Sequence, residues 1–185
     1  MNRKTTPFLL LALVLLGLLA FIMERPRSRP ESSSQSEAYG ARVLAISQAD
    51  VLRVRVKRDY WNSYTLGKTP DGSWRLTDPS DEPASEPAVR KLLATVENLP
   101  ALTTINLPAS DSERHREYGL LKPVLELTVS TPDADHSVSF GTQTADNKGV
   151  YCARYGQDKV YVTAPEAMQV LSLDLAAYRQ EKAAP

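Results

Sequence analysis

Residues 8–23 read FLLLALVLLGLLAFIM, an unbroken apolar run that begins seven residues into the chain and ends against Glu24-Arg25-Pro26-Arg27. A stretch apolar on every side cannot be one face of a surface helix, so its expected environment is lipid. Sixteen residues rising about 1.5 Å each span roughly 24 Å, against about 30 Å of hydrocarbon. Thr5, Thr6 and Pro7 can extend the run, and Arg25 and Arg27 can snorkel at its other end. A cleaved signal peptide is the rival reading, since Arg3-Lys4 suits its basic start. Cleavage needs small residues after the apolar core, whereas Phe21-Ile22-Met23-Glu24 offers bulk and charge. The expectation is therefore a single N-terminal transmembrane helix, 8–23, behind a cytoplasmic tail, 1–7. It would act as an uncleaved signal anchor in the inner (cytoplasmic) membrane, with the following domain extracytoplasmic or periplasmic.

After the run, 24–40 is rich in Pro, Ser and Glu and poor in large apolar residues, so it is expected to be a flexible linker. Residues 41–180 have the length of one ordinary domain, and 181–185 form a short tail. The chain carries 22 Lys+Arg against 22 Asp+Glu, a formal net charge of zero, with the signs interspersed. That balance argues against a nucleic-acid partner. With one cysteine, Cys152, no intrachain disulfide can form, and a lone thiol in an apolar strand packs as a small hydrophobe.

Periodicity assigns the domain to the α+β class, with antiparallel strand meanders and hairpins and a few packed helices. Val51 to Arg58 alternates, with Leu52, Val54 and Val56 on one face and Arg53, Arg55 and Lys57 on the other. Tyr60 to Leu66 and Ser73 to Leu76 form a hairpin around Thr69-Pro70-Asp71-Gly72, whose Pro and Gly suit a turn. Three prolines make Asp78 to Pro87 a connector, and Ser85 then opens a helix bearing Val89, Leu92, Leu93, Val96 and Leu99 at helical spacing. Ala101 to Leu107 reads as a strand, and Asp111 or Ser110 caps a short helix that Gly119 ends. Val124 to Ser130, His136 to Phe140, Gly149 to Tyr155 and Lys159 to Val162 continue the meander, with Val150 and Cys152 on one strand and Val160 and Val162 on the next as candidate inward sets. A helix over Ala164 to Leu175, with Pro165 at its start, completes a coarse doubling, strands then helix, that ends near Leu99 and again near Leu175.

Chemistry-bearing patterns are sparse. His115 and His136 have no partners at metal-ligand spacing, and Asp78, Asp81 and Glu82 lack the alternating oxygens and central Gly of a calcium loop. Asp133 and Asp135 suit a turn. No nucleophile elbow, Ser-x-x-Lys or phosphate loop occurs. The sequence therefore predicts no catalytic residues, no metal, no cofactor and no enzymatic activity. Tyr151, Tyr155 and Tyr161 read first as hairpin packing, and Trp61 and Tyr64 are the candidate binding contacts if they are exposed.

One set of residues resembles a known family over about Val51 to Arg179. It comprises Trp74-Arg75-Leu76 before Pro79, Tyr118-Gly119-Leu120 with Pro123, Phe140-Gly141, Val150-Tyr151, Val160-Tyr161-Val162 and Tyr178-Arg179. The order is similar to the domain of unknown function 4340 family, bacterial envelope domains associated with gliding-motility-type ABC transporter components. Leu121 stands where the family usually has an acidic residue, and family members often carry more than one copy of the domain. The resemblance implies a β-rich, membrane-anchored accessory or interaction protein with ABC permease or ATPase subunits as partners, and no catalytic residues. The alternative is an envelope module that binds polysaccharide or lipid, and an enzyme is the third reading.

Overall fold

The computed structural model describes residues 41–58 and 62–180. The expected anchor, the linker 24–40, the tail 181–185 and Trp61 lie outside the described residues. Among the described residues no helix is long and apolar enough to cross a membrane.

Nine strands form one antiparallel sheet: β1 (Arg53–Lys57), β2 (Ser63–Lys68), β3 (Trp74–Asp78), β4 (Glu82–Pro83), β5 (Thr103–Asn106), β6 (Leu125–Ser130), β7 (Asp135–Gln143), β8 (Val150–Arg154) and β9 (Lys159–Thr163). Their spatial order is β4-β3-β2-β1-β6-β7-β8-β9-β5. Among the described residues three α-helices accompany them: α1 (Glu86–Glu97), α2 (Ser112–Glu117) and α3 (Pro165–Leu171). The architecture is thus α+β and mostly sheet.

Alternation decides which face is buried. Val54 and Val56 of β1 stand opposite Leu66 and Tyr64 on one side and Val129 and Leu127 on the other, and all six are buried. Helix α1 turns Val89, Leu92, Leu93 and Val96 inward and contacts α3, which contributes Ala167 and Leu171. Truncating Leu92, fully enclosed here, to Ala would cost about 2–5 kcal/mol by the usual cavity relation. Ser85 sits at the start of α1 without a side-chain capping bond, and Pro87 presets the first turn. Asp111 does cap α2, its Oδ1 accepting the Arg114 amide at 3.2 Å.

The strand order is symmetric about the β1–β6 pair. Strands β1 to β4 lead into α1, and β6 to β9 lead into α3. Each helix then sends its chain to the far edge of the other half. After α1, β5 pairs with β9, with Thr103 opposite Val162 and Ile105 opposite Val160. After α3, the chain bridges Arg179 to Ala84 beside β4, where the Ser85 amide donates to the Tyr178 carbonyl at 2.8 Å. The doubling read from sequence is thus a reciprocal exchange of edges.

Two assignments are corrected by register. Leu52 does not join Val54 and Val56 inside: it is 46% exposed, and Val51, 1% exposed, takes the inward place. The alternation slips before β1 begins, where the preceding turn of 3-10 helix (Gln48–Asp50) delivers the chain. Val160 and Val162 do not share a face with Val150 and Cys152. Cys152 stands opposite Tyr161, and Val150 opposite Thr163, which sends Val160 and Val162 to the other side.

Candidate functional site

The side of the sheet away from α1 and α3 differs between the halves. In the second half the chain covers it. Val160 and Leu107 are fully buried there, yet neither belongs to the main core cluster. The end of α2 lies over this face, and the Tyr118 ring stacks on Tyr151 of β8 with centroids 4.3 Å apart and planes 20° from parallel.

Two glycines make that cover possible. The Thr142 amide donates to the Tyr118 carbonyl at 2.9 Å, within the bulge that shifts β7 between Phe140 and Gln143. A Cβ on Gly141 would stand 1.9 Å from that carbonyl oxygen. Gly119 has φ +72°, and its Cβ would meet Thr142 at 2.8 Å. The Tyr118-Gly119-Leu120 and Phe140-Gly141 marks, distant in sequence, therefore meet backbone to backbone. Both serve structure.

Among the described residues the same face is open in the first half. Arg53, Arg55 and Lys57 run along it from β1, flanked by hydroxyl-bearing neighbours: Thr65 on β2, and Thr128 and Ser130 on β6. Arg55 Nε donates to Thr65 Oγ1 at 3.3 Å, and the Thr77 hydroxyl donates to the Thr65 carbonyl at 3.3 Å. Thr128 and Ser137 share a hydroxyl contact of 3.1 Å. Lys57 is paired with Glu126 at 3.2 Å. The result is a shallow groove of about 610 Å³ whose walls carry Leu52, Arg53, Arg55, Lys68, Asp78 and Asp135, over a floor that includes Thr65. Thr65 is only 3% exposed although it faces this side. Such a surface can hold a carboxylate, a hydroxyl-rich ligand or a polar polypeptide through guanidinium and hydroxyl donors.

The residues singled out from sequence scatter. Tyr64 is 4% exposed and packs against Tyr178 in the core, with ring centroids 5.0 Å apart, so it offers no surface contact. Its hydroxyl is buried without a hydrogen-bond partner, and burial, then the neighbouring Tyr178, pushes its ionisation upward. Tyr161 donates to Gln157 Oε1 at 2.9 Å, beside a second depression of about 530 Å³ lined also by Leu107 and Asp158. Tyr155 is 92% exposed at the β8–β9 turn. Asp81 is bound by Arg75 at 2.8 Å, and Glu82 by Arg179 at 2.9 Å, so these acids face cations rather than one another. The Ser80 hydroxyl, then Arg179, hold Glu82 below the usual carboxylate range. Among the described residues no three His, Cys, Asp or Glu side chains converge as metal ligands. His115 is half-buried on α2 with Nε2 enclosed and unpartnered.

Of the groove residues, the β1 cations were legible as the hydrated face of an alternating strand. Lys68 and Asp78 arrive through the consecutive β1-β2-β3 hairpins, whereas Asp135 reaches the groove only because β6 pairs with β1, a strand distant in sequence. A family profile described as "Domain of unknown function (DUF4340)" matches residues 74–184. The chain belongs to this family. The family match begins at β3, yet β3 joins β6 only through β2 and β1, so the sheet extends upstream of the matched residues. No curated protein and no solved structure matches the chain.

Proposed function

We propose that this chain is a membrane-anchored envelope accessory protein that acts by recognition. The run 8–23 would hold the domain at the outer side of the inner membrane, and the open groove would engage a partner. The observation that carries this reading is the contrast between the two halves of one face of the sheet. The chain covers one with its own α2 and leaves the other bare, with Arg53 and Lys68 free of side-chain partners among the described residues. An uncovered surface lined by hydroxyls, three cations and two carboxylates costs little to leave in water, and its guanidinium and hydroxyl groups supply directed donors to a partner. The family resemblance points to permease or ATPase subunits of an ABC-type transporter as that partner.

The reading is tested by purifying tagged full-length protein from gently solubilised native membranes, beside a variant carrying Arg53→Glu and Lys68→Glu. Transporter subunits recovered with the first and lost with the second would support it. Equal recovery with both would remove the groove from the interaction, and recovery of no transporter subunit would overturn the transporter assignment. A second reading, an envelope module for a polysaccharide, is favoured by the same hydroxyl and guanidinium lining. Binding of an acidic polysaccharide by the wild type, weakened in the double variant, would favour it.

A further inference from the structure

Register fixes which features share each end of the sheet. Leu125, Phe140, Cys152, Tyr161 and Thr104 form one row across five strands. Val124 lies one step beyond that row on β6, and Leu102 two steps beyond on the lead-in to β5. Both therefore mark the same end of the sheet, four strand spacings of about 4.8 Å, or roughly 19 Å, apart. Leu121, on the loop that leads to Val124, belongs to this end as well. Leu102, Leu121 and Val124 are 48%, 50% and 53% exposed.

The described chain also begins at this end. The Ala101 amide donates to the Ala41 carbonyl at 2.9 Å, and the Val43 amide to the Leu99 carbonyl at 2.9 Å. Arg42, Lys122 and Lys148 are exposed here, Lys148 on the loop between β7 and β8. The carboxylate on that loop, Asp146, is engaged by the Thr144 hydroxyl at 2.7 Å and the Lys148 amide at 3.1 Å. The rim thus carries its apolar points among three cations and two carboxylates, Asp146 and Glu117, whose charges both reach Tyr151. Its apolar points are spread along a line rather than gathered in a pocket, which a protein knob would not fit and a flat surface would.

We propose that this rim rests on the headgroup layer of an anionic bilayer, with Leu102, Leu121 and Val124 entering the interface and Arg42, Lys122 and Lys148 meeting lipid phosphates. The inference rests on the anchored reading above. Residues 24–40, read from composition as a solvated spacer, would reach roughly 23 Å from the anchor. That tether keeps the rim at high effective concentration beside the membrane, so weak interfacial contacts suffice. Exposed apolar side chains with neighbouring cations are the chemistry that interfaces of this kind select.

The test uses the full chain reconstituted into vesicles of phosphatidylcholine and phosphatidylglycerol, with single cysteines replacing Leu102, Leu121, Val124 or, at the opposite end, Tyr155. Cys152 stays in place, since it is fully buried and burial pushes its thiol up to about 12, out of reach of a maleimide. Flotation is measured first, then the emission of an environment-sensitive dye on each cysteine. The expected result is flotation of every variant, with a blue-shifted and several-fold brighter dye at positions 102, 121 and 124 and an aqueous spectrum at 155. Lys122→Glu with Lys148→Glu should return the dye at 121 toward the aqueous spectrum. Flotation with aqueous spectra at all four positions would overturn the rim contact and leave the anchor intact. Failure to float would overturn the anchor, and the rim contact with it.

Discussion

Replacing Gly141 by Ala adds one methyl group at the point where the end of α2 touches the β7 bulge. The new Cβ would stand 1.9 Å from the Tyr118 carbonyl oxygen and 3.1 Å from the Gly119 carbonyl carbon, so backbone must move rather than a side chain. Moving it breaks the 2.9 Å bond from the Thr142 amide and separates the Tyr118 ring from Tyr151. A buried backbone hydrogen bond contributes about 1 kcal/mol, and an aromatic pair about 1 kcal/mol beyond its area. Overpacking strain adds about 1 kcal/mol or more, which makes the expected loss roughly 3 kcal/mol. In a domain of this size that lowers the melting temperature by roughly 10 °C. Gly72→Ala is the matched control. Its φ is +88° with nothing within 4 Å, so its cost is conformational alone, about 1 kcal/mol. Urea unfolding followed by tryptophan fluorescence compares the two, with Trp74 in the core as a reporter. The double variant Gly141→Ala with Tyr118→Leu should fall short of the sum of its parts, because each change already costs the ring stack. A Gly141→Ala protein within about 0.5 kcal/mol of wild type would refute the close-contact account.

Three further outcomes are expected. Tyr64→Phe removes a buried hydroxyl that has no hydrogen-bond partner, so stability should hold or rise by about 1 kcal/mol in the same urea experiment, and a loss above that would mean the hydroxyl is satisfied. Cys152 should resist a thiol-specific colorimetric reagent at pH 8 in the native protein and react fully in urea, since only its burial raises the thiol. Burial also raises Tyr64, Tyr151 and Tyr178 above their ordinary value of 10.0 and Cys152 above 9.0. Groups whose ionisation is raised by folding contribute stability that is complete below the unfolded value and is lost as pH climbs past it. The urea midpoint should accordingly be flat between pH 7 and about pH 8.5 and fall from about pH 9–10 upward, and a midpoint that rises there would contradict the burial of these groups.

The sequence by itself determined the local elements. Alternation in Val54-Arg55-Val56-Lys57 and the helical spacing of Val89, Leu92, Leu93 and Val96 report which side of each element is apolar, and that property is carried by neighbours along the chain. Asp111 and Gly119 announced the ends of α2 for the same reason, because caps and positive φ are local demands. The Arg53-Arg55-Lys57 stripe, whose first two residues line the groove, was readable as the wet face of its strand. What only the tertiary structure decided is which faces meet. The register that pairs β8 with β9 put Val160 opposite Ala153 and on the far side from Cys152, a choice one residue of slip reverses and no residue in either strand encodes alone. Tyr64, a candidate contact only if exposed, lies in the core because β2 has strands on both sides and Tyr178 packs on its ring. Leu52 stayed out because the alternation slips before β1. The reciprocal exchange of edges after α1 and α3, the glycine contact that lays α2 over one half, and the groove left open on the other depend on pairings between segments tens of residues apart. Those pairings are set by the burial of the whole sheet.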